Sequence, residues 1–323
     1  MKALVLIGGL GTRLRPITYT VPKQLIPLAG RPMLYHVLDL LPAGVEEVVL
    51  ASGYRSEMID RYVRQHPPGR TVRTVPEDHP LGTGGGMRNA GGSMSDPFFL
   101  LNSDVIAEAD LTLLAATHAR SPRVGTMALT EVDDTRPYGV AALGPDDRIT
   151  EFVEKPEPDR APSRWINAGF AIWSRRVLDR IPAGRPVSFE QEVVPGLLSA
   201  GLFGFRLQGF WDDAGTRERL LRSQRLLFDA GRGRSVGLPA GARGRGPVAS
   251  MDGAEAKGAT FGGYVTLGVG ARVGAGAELE DSVVMDGAVI GAGCRLSGAI
   301  VGPGVEVPRG RRLVGELVGA APV

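Results

Sequence analysis

The stretch that most constrains the fold lies at the N-terminus, where a short apolar run leads directly into a glycine-rich loop. Residues 2–7 read KALVLI, which is typical of a buried parallel strand. A Gly-Gly-Leu-Gly sequence follows without a spacer, and glycines at this place let the backbone turn sharply and approach a ligand. Successive backbone N–H groups can hold phosphate oxygens, and Arg13 and Lys23 add positive charge nearby. The loop therefore predicts phosphoryl or nucleotidyl transfer, in which negative charge develops on oxygen atoms.

Two common glycine motifs do not fit this loop. The dinucleotide-binding fingerprint G-x-G-x-x-G needs a third glycine where Leu14 stands. The P-loop G-x-x-x-x-G-K-[ST] needs a lysine directly after its last glycine, and the segment has none at that spacing. The loop thus belongs to neither motif.

Short apolar runs alternate with segments of helical periodicity over the first hundred residues. Strands are predicted at 45–51, 71–75 and 97–101, and helices at 33–41 and 56–64. Alternation at this pitch indicates an α/β fold with a parallel, doubly wound sheet.

Polar residues stand where two of these strands end. Glu77 follows the third strand and precedes a second glycine-rich turn, and Asn102 and Asp104 follow the strand at 97–101. Ligands bind at the carboxyl ends of strands in such sheets, so Asp104 is predicted to bind Mg²⁺ rather than to cap a turn.

The C-terminal region carries a different period. Apolar residues recur every five or six positions, often followed by a small residue, at Leu267, Val273, Leu279, Met285, Ile290, Leu296, Val301, Val307 and Leu313. A hexapeptide period predicts a left-handed parallel β-helix with these side chains inside. The alternative is a flexible Gly/Ala tail. Segment 231–263 lacks apolar periodicity and is predicted to be a Gly/Arg-rich linker.

Composition excludes several classes of function. The formal net charge of +2 gives no indication of a nucleic-acid partner, and no apolar run has the length of a membrane span. Cys294 is the lone cysteine, which rules out an intrachain disulfide and suits a reducing cytoplasm. A hexapeptide acyltransferase would need a histidine in its coils, whereas all four histidines precede the repeat. A cytoplasmic protein with no membrane or nucleic-acid partner is expected.

The motifs taken together resemble those of the sugar-nucleotide pyrophosphorylases. The family pattern G-G-x-G-T-R-L-x-P-x-T begins at Gly8, and Pro-Lys and Arg-Pro-Met elements follow it, the latter at Arg31. An E-K-P element at Glu154, an N-A-G element at Asn167 and a W-x-D-x-G element at Trp211 come in the family's order. Within the family the chain is most similar to bacterial mannose-1-phosphate guanylyltransferases.

The resemblance implies a fold and a reaction. A nucleotidyltransferase domain with a Rossmann-like, doubly wound mixed sheet would span 1–230, the linker 231–263 and the left-handed β-helix 264–323. The reaction would transfer a nucleoside monophosphate from an NTP, with GTP favoured, to a sugar 1-phosphate, with mannose 1-phosphate favoured. An exposed β-helix face or coil end would support a homo-oligomer.

The resemblance also assigns roles to residues. The catalytic cations would be Arg13, Lys23 and Lys155, and Mg²⁺ would be bound by Asp104 and Asp213, whereas Asp212 occupies a variable, structural or solvated position. The nucleotide would contact Leu6, Gly8, Gly9, Gly11, Thr12, Arg13, Glu77, Gly82, Thr83, Asn102 and Asp104. The sugar phosphate would contact Gly139, Glu154, Lys155, Asn167 and Gly169. Guanine presents two hydrogen-bond donors, N1–H and the N2 amine. Glu77, the carboxylate nearest in sequence to the second glycine-rich turn, is predicted to accept from them; the alternative is a surface acid.

The sequence leaves three alternatives open. Lys23-Gln24-Leu25 and the residues after Asp213 are also similar to thymidylyltransferases, so glucose 1-phosphate thymidylyl or uridylyl transfer is one. The same chemistry on a heptose or cyclitol phosphate is the second. A non-catalytic regulatory paralogue is the third, although the intact set of cationic and acidic residues argues against it.

Overall fold

The chain divides into two compact units in the computed structural model, which describes residues 1–120 and 123–320. The first unit comprises Met1–Gly9 and Val37–Trp211, and the second comprises Leu10–His36 and Asp212–Val323. The predicted loop is therefore shared, because its first two glycines belong to one unit and the residues from Leu10 onward belong to the other. The domain boundaries expected at 230 and 263 stay a proposal.

The strands and helices of the described residues follow in chain order. The strands are β1 (Lys2–Leu6), β2 (Pro27–Leu28), β3 (Arg31–Pro32), β4 (Glu47–Ser52), β5 (Thr71–Pro76), β6 (Phe98–Asn102), β7 (Val105–Ala107), β8 (Gly125–Glu131), β9 (Gly139–Leu143), β10 (Ile149–Glu154), β11 (Trp165–Trp173), β12 (Leu202–Arg206), β13 (Trp211–Asp213), β14 (Arg243–Gly244), β15 (Val248–Ser250), β16 (Thr260–Leu267), β17 (Arg272–Val273), β18 (Glu278–Val284), β19 (Val289–Ile290), β20 (Arg295–Ser297), β21 (Ile300–Val301), β22 (Glu306–Val307), β23 (Arg312–Val314) and β24 (Leu317–Val318). The α-helices are α1 (Met33–Leu38), α2 (Ser56–Gln65), α3 (Gly82–Ala90), α4 (Leu111–His118), α5 (Val194–Leu197) and α6 (Arg217–Asp229). Short 3-10 turns occur at Thr12–Leu14, Ile17–Tyr19, Lys23–Leu25, Gly91–Ser93, Pro158–Arg160, Arg175–Arg180 and Leu198–Ala200, and a π-turn at Phe189–Val193.

The first unit is built on a mixed sheet, as predicted. Its strand order is β10-β9-β11-β6-β1-β4-β5, with β8 between β11 and β12. The strands β1, β4, β5 and β6 are parallel, and β11 runs antiparallel to β6 and β8. The central strands β1, β4 and β6 are apolar except at their ends, as expected for parallel strands that are covered on both faces. Leu4, Phe98 and Trp173 are among its buried core residues.

The second unit contains the predicted repeat as a stack of parallel strands. Every one of the nine apolar positions of the period is buried, from Leu267 to Leu313. Successive coils place Glu278 beside Arg295 and Arg295 beside Arg312, all in parallel pairing. The β-helix-like architecture is thereby confirmed, whereas its left-handedness stays a prediction. The last three residues of the predicted repeat, 321–323, lie outside the described residues.

Segment 231–263, expected to be a linker, already carries paired strands. β14 and β15 both pair in parallel with β16, and Val248 and Phe261 lie in the core of the coils. The apolar residues here are few and are separated by glycine and arginine, so the inward positions show no readable period. The backbone pairing extends the stack because each coil supplies N–H and C=O groups for the next.

Helix α6 packs within the second unit against β16 and β18. It begins at the N-cap Thr216, whose side chain accepts a hydrogen bond from Arg219 N. The fully buried Gln224 donates to the Tyr264 carbonyl at 2.6 Å and accepts from the Thr266 hydroxyl at 2.6 Å. Among the described residues, no helix combines the length and apolar character that crossing a membrane requires.

Candidate active site

The carboxyl ends of the parallel strands form one edge of the first unit's sheet. Leu6 lies in register with Ala51 on one side and with Asn102 on the other. Glu77 continues from β5, and its N–H donates to the Ser52 carbonyl at 2.7 Å. Three predicted nucleotide contacts from separate parts of the sequence, Leu6, Glu77 and Asn102, therefore stand along one edge, where such sheets bind ligands.

The glycines after β1 differ in what they require. No described atom lies within 4 Å of a Cβ built at Gly8 or Gly9, so open space surrounds this part of the loop. Gly11 has φ of 59°, and a Cβ there would lie 2.8 Å from Thr18 Cγ2. The Thr18 hydroxyl donates to the Gly11 carbonyl at 2.8 Å. Glycine is thus needed at 11 both for the left-handed backbone and for the close approach of Thr18.

Arg13 and Lys23 both belong to the second unit. Arg13 is exposed, and its Nη2 lies 2.5 Å from the place where a Cβ of Gly215 would stand. Gly215 therefore leaves room for the guanidinium. Lys23 opens a 3-10 turn, and its Cβ lies 3.6 Å from a Cβ built at Gly11. The two predicted cations thus flank the same loop as Gly11.

The neighbouring acids Asp212 and Asp213 have different surroundings. Asp213 is half-buried and accepts from Arg219 Nη1 at 2.7 Å. Asp212 is 1% exposed, and its Oδ2 has no hydrogen-bond partner among the described residues, with Arg222 Nε at 3.7 Å. Burial raises the pKa of Asp212 to about 7, and the Arg222 charge opposes that rise. Asp212 is therefore a buried acid and not a solvated one, because its strand points it into the protein.

Glu77 closes the second glycine-rich turn at the start of α3. Its Oε2 accepts from Leu81 N at 3.1 Å, and its Oε1 lies 2.5 Å from a Cβ built at Gly86. Burial raises the pKa of Glu77, and the hydrogen bond from Leu81 opposes this. Gly82 has φ of 73°, and a Cβ there would lie 2.5 Å from the Val187 carbonyl oxygen. Part of the Glu77 carboxylate thus serves the turn itself, and its contact with guanine stays a prediction.

The hydroxyl of Thr83 makes two hydrogen bonds to a distant segment. It accepts from Phe189 N at 2.9 Å and donates to Glu190 Oε2 at 2.6 Å. The Thr83 side chain therefore holds protein to protein, and the contact of Thr83 with a nucleotide stays a prediction.

The predicted sugar-phosphate pair Glu154 and Lys155 is held at the end of β10. Lys155 has φ of 51°, its N–H donates to the Tyr138 carbonyl at 2.9 Å, and its Nζ lies 3.1 Å from Glu154 Oε1. A Cβ at Gly139 would lie 2.7 Å from Glu154 Oε2, so Gly139 makes room for the carboxylate. Burial raises the pKa of Glu154, the Lys155 charge opposes the rise, and the Glu190 charge adds to it.

The N-A-G element forms a bulge in β11 beside the end of β6. The register with β8 shifts between Asn167 and Ala171, and Asn167 Oδ1 accepts from Gly169 N at 3.0 Å. A Cβ at Gly169 would lie 3.1 Å from Asn102 Nδ2. Gly169, with φ of 80°, therefore brings the predicted sugar-phosphate side against the predicted nucleotide side, and the half-buried Asp104 follows in the adjoining turn.

The donors suit a divalent cation that keeps water or phosphate oxygens. Asp104 belongs to the first unit and Asp213 to the second, and their binding of one Mg²⁺ stays a prediction. In the part of the chain that the structure describes, no group of three or more His, Cys, Asp or Glu could hold a metal by itself. Mg²⁺ commonly binds through one or two carboxylates and substrate phosphates, so the residues present fit that ion.

Each unit thus gathers its own part of the predicted set. The first unit holds Leu6, Gly8, Gly9, Glu77, Gly82, Thr83, Asn102, Asp104, Gly139, Glu154, Lys155, Asn167 and Gly169, and the second holds Gly11, Thr12, Arg13, Lys23 and Asp213. Glu190 and Arg219 were missed as site residues. For Glu190 the signal is that residues 190–195, EQEVVP, resemble a segment of the guanylyltransferases. For Arg219 the sequence gives none.

Comparison with known proteins places these features in context. Residues 2–229 match the family model described as nucleotidyl transferase, and residues 252–317 match that described as GlmU-like, C-terminal hexapeptide. The mannose-1-phosphate guanylyltransferase of Mycobacterium tuberculosis is 38% identical over 295 residues, covering 89% of this chain and 80% of the relative. The mannose-1-phosphate guanylyltransferase catalytic subunit beta of Xenopus tropicalis is 41% identical over 223 residues, covering 67% of this chain and 61% of the relative. The crystal structure of HddC from Yersinia pseudotuberculosis complexed with GMP-PN superposes with a TM-score of 0.58 at 27% identity, covering 69% of this chain and 98% of that one.

Proposed function

Since the chain belongs to the nucleotidyl transferase family of sugar-nucleotide pyrophosphorylases, we propose that it transfers the guanylyl group of GTP to mannose 1-phosphate. A phosphate oxygen of mannose 1-phosphate attacks the α-phosphorus of GTP. The new P–O bond gives GDP-mannose, while the bond between the α-phosphorus and the bridging oxygen breaks and pyrophosphate leaves with the electron pair. The nucleophile is already an anion, so catalysis needs positioning and charge neutralisation.

The observation that carries the proposal is the Glu154–Lys155 pair. Lys155 is an exposed cation on a backbone at φ of 51°, a conformation that costs energy for a side chain other than glycine. Its ammonium is oriented by the half-buried Glu154 at 3.1 Å and its N–H by the Tyr138 carbonyl. Such strain persists where the surroundings over-determine it, which is common at ligand sites. A fixed, solvent-accessible cation suits the phosphate of a sugar 1-phosphate.

The remaining charged residues divide the work on the nucleotide. Arg13 is assigned to the β- and γ-phosphates and to the leaving pyrophosphate, and Lys23 to the charge that grows on the α-phosphate. The exposed Arg13 guanidinium and the half-buried Lys23 ammonium lie beside the Gly11 loop, where positively charged donors suit phosphate oxygens. Asp104 and Asp213 would hold Mg²⁺, which when bound withdraws charge from phosphate oxygens.

The preference for guanine and mannose follows the relatives. Both curated relatives described above are named mannose-1-phosphate guanylyltransferases, and the solved structure of HddC was complexed with GMP-PN. Thymidylyl or uridylyl transfer to glucose 1-phosphate is not favoured by these names. The heptose, cyclitol and regulatory alternatives have no specific observation in their support. We also expect a cytoplasmic location and a homo-oligomer.

A pyrophosphate-release assay tests the proposal directly. Purified protein is incubated with Mg²⁺ and each of GTP, dTTP, UTP, ATP and CTP, crossed with mannose and glucose 1-phosphates. The expected result is the highest kcat/KM for GTP with mannose 1-phosphate. A higher value for dTTP or UTP with glucose 1-phosphate would replace the proposed substrates, and no release in any combination would contradict the reaction itself.

A further inference from the structure

A segment far along the chain is fastened to the glycine-rich turn that opens α3. Val187 N donates to the Leu81 carbonyl at 2.8 Å, and Gly84 N donates to the Val187 carbonyl at 2.9 Å. Phe189 N donates to the Thr83 hydroxyl at 2.9 Å, and that hydroxyl donates to Glu190 at 2.6 Å. The turn is therefore fixed by residues 187–190 as well as by its own helix, α3.

Glu190 completes this attachment in an unusual backbone. It lies in the π-turn Phe189–Val193. Such turns are rare in proteins, and those that occur are often found at functional sites. The Glu190 carboxylate accepts a hydrogen bond from the Thr83 hydroxyl. The Thr83 oxygen in turn accepts a hydrogen bond from Phe189 N–H. A hydrogen bond to an ionised acceptor is stronger than a neutral one, so this contact sets the orientation of the Thr83 side chain.

The π-turn also packs toward the sugar-phosphate side of the first unit. It contacts β10, the strand that ends at Glu154, and the ring of Phe189 meets that of Trp173 edge to face at 5.1 Å. Burial raises the pKa of Glu154, and the negative charge of Glu190 adds to this rise. The segment thus stands between the turn at Thr83 and the Glu154–Lys155 pair.

We propose that Glu190 is a positioning residue for the reaction, holding the Thr83 turn in the shape that receives the nucleotide. This proposal rests on the proposed function. It follows that loss of the Glu190 hydrogen bond loosens the turn and weakens nucleotide binding in the ground and transition states alike. Such a loss raises KM and leaves kcat unchanged.

Steady-state kinetics of single and double variants test this. Glu190→Ala and Thr83→Val should each raise the KM for GTP by about three- to tenfold, because the lost hydrogen bond is charge-assisted but exposed to solvent. Thr83→Val also removes the acceptor of the Phe189 N–H, so its effect should be at least as large as that of Glu190→Ala. The double variant should match Thr83→Val, because the Glu190 hydrogen bond is already absent once the hydroxyl is gone. Glu190→Gln keeps an acceptor oxygen for the Thr83 hydroxyl and should stay within about twofold of the wild type. The KM for mannose 1-phosphate should change little in all of them.

Glu192→Ala is the matched control, since it removes a carboxylate from the same π-turn. Glu192 accepts from Ser188 N at 2.9 Å and pairs with Arg185 at 2.7 Å, away from Thr83. It should leave the KM for GTP unchanged even where the thermal midpoint falls. Additive effects of the Glu190 and Thr83 variants, or a Glu190→Gln variant as weak as Glu190→Ala, would overturn the inference. Absence of activity in the wild type would instead remove the proposed function.

Discussion

Gln224 offers a sharp test of how the second unit is held together. Its amide is 0% exposed and joins α6 to the coils, donating to the Tyr264 carbonyl and accepting from the Thr266 hydroxyl. Thr266 is also 0% exposed, so water has no access to its hydroxyl. The amide nitrogen also donates to the Ser282 carbonyl at the longer distance of 3.5 Å. Replacing Gln224 with Met keeps the approximate size of the side chain and removes this contact together with the two short hydrogen bonds.

The expected loss follows from the two groups left behind. A buried polar group without a partner costs roughly 1–3 kcal/mol, so Gln224→Met should lower the free energy of unfolding by about 2–6 kcal/mol. For a domain of 150–250 residues each kcal/mol lowers Tm by roughly 2–4 °C, which gives a fall of about 4–24 °C. Thr266→Val alone strands only the Gln224 carbonyl oxygen and should cost roughly 1–3 kcal/mol.

Urea denaturation and calorimetry of a double-mutant cycle measure these values. The double variant of Gln224→Met and Thr266→Val should lose less free energy of unfolding than the sum of the two single losses. The reason is that neither polar partner of the Gln224–Thr266 hydrogen bond remains buried and unpaired. Gln65→Met is the matched control, since Gln65 is exposed at the end of α2, and it should stay within about 0.5 kcal/mol of the wild type. A Gln224→Met variant as stable as that control, or strict additivity in the cycle, would refute the reasoning.

Four further predictions concern metal, base and pH. Asp104→Asn and Asp213→Asn should each lower kcat at saturating Mg²⁺ by orders of magnitude with Tm retained, and near-normal turnover in either variant contradicts its metal role. Arg219→Gln should bind Mn²⁺ more tightly in an electron paramagnetic resonance titration, since the cation that pairs with Asp213 at 2.7 Å is gone, and weaker binding would count against this. Glu77→Gln should raise the KM for GTP far more than that for dTTP, and equal changes would exclude guanine recognition. Burial lowers the pKa of His36 to about 3, whereas the unfolded chain binds this proton below about pH 6.5. The free energy of unfolding should therefore fall as the pH drops from 6.5 toward 3. His36→Gln removes this titration, so its urea midpoint should depend less on pH across that range.

Which residues are buried could be predicted from the sequence, because burial follows the spacing of the apolar residues. A strand buried on both faces needs a continuous apolar run, as in β1, and a coil of the repeat needs one inward residue at each side. The positions from Leu267 to Leu313 are accordingly all buried. The strands in segment 231–263 were not predicted, because its inward residues, such as Val248, are separated by glycine and arginine.

Pairs of side chains that meet across the fold leave no such trace. Thr83 and Glu190 stand 107 residues apart, and their contact depends on the path of the chain between them. Arg219 was equally hidden, because an arginine one turn into a helix is ordinary until its partner is known to be Asp213. Asp212 illustrates the limit most clearly, since a strand alternates its faces and only the packing decides that Asp212 is the buried neighbour.

The grouping of Leu10–His36 with the C-terminal residues also has a physical cause. Ile17 is 0% exposed, and its Cδ1 lies 3.2 Å from a Cβ built at Gly302, while its N–H lies 3.1 Å from one built at Gly319. Two glycines at equivalent places in successive coils thus leave the space that Ile17 and Pro16 fill. Arg13 precedes this contact by only a few residues, and side chains larger than hydrogen at either glycine would push on the loop that carries it. The C-terminal repeat therefore supports the segment that carries Arg13, even though the repeat contributes none of the predicted site residues.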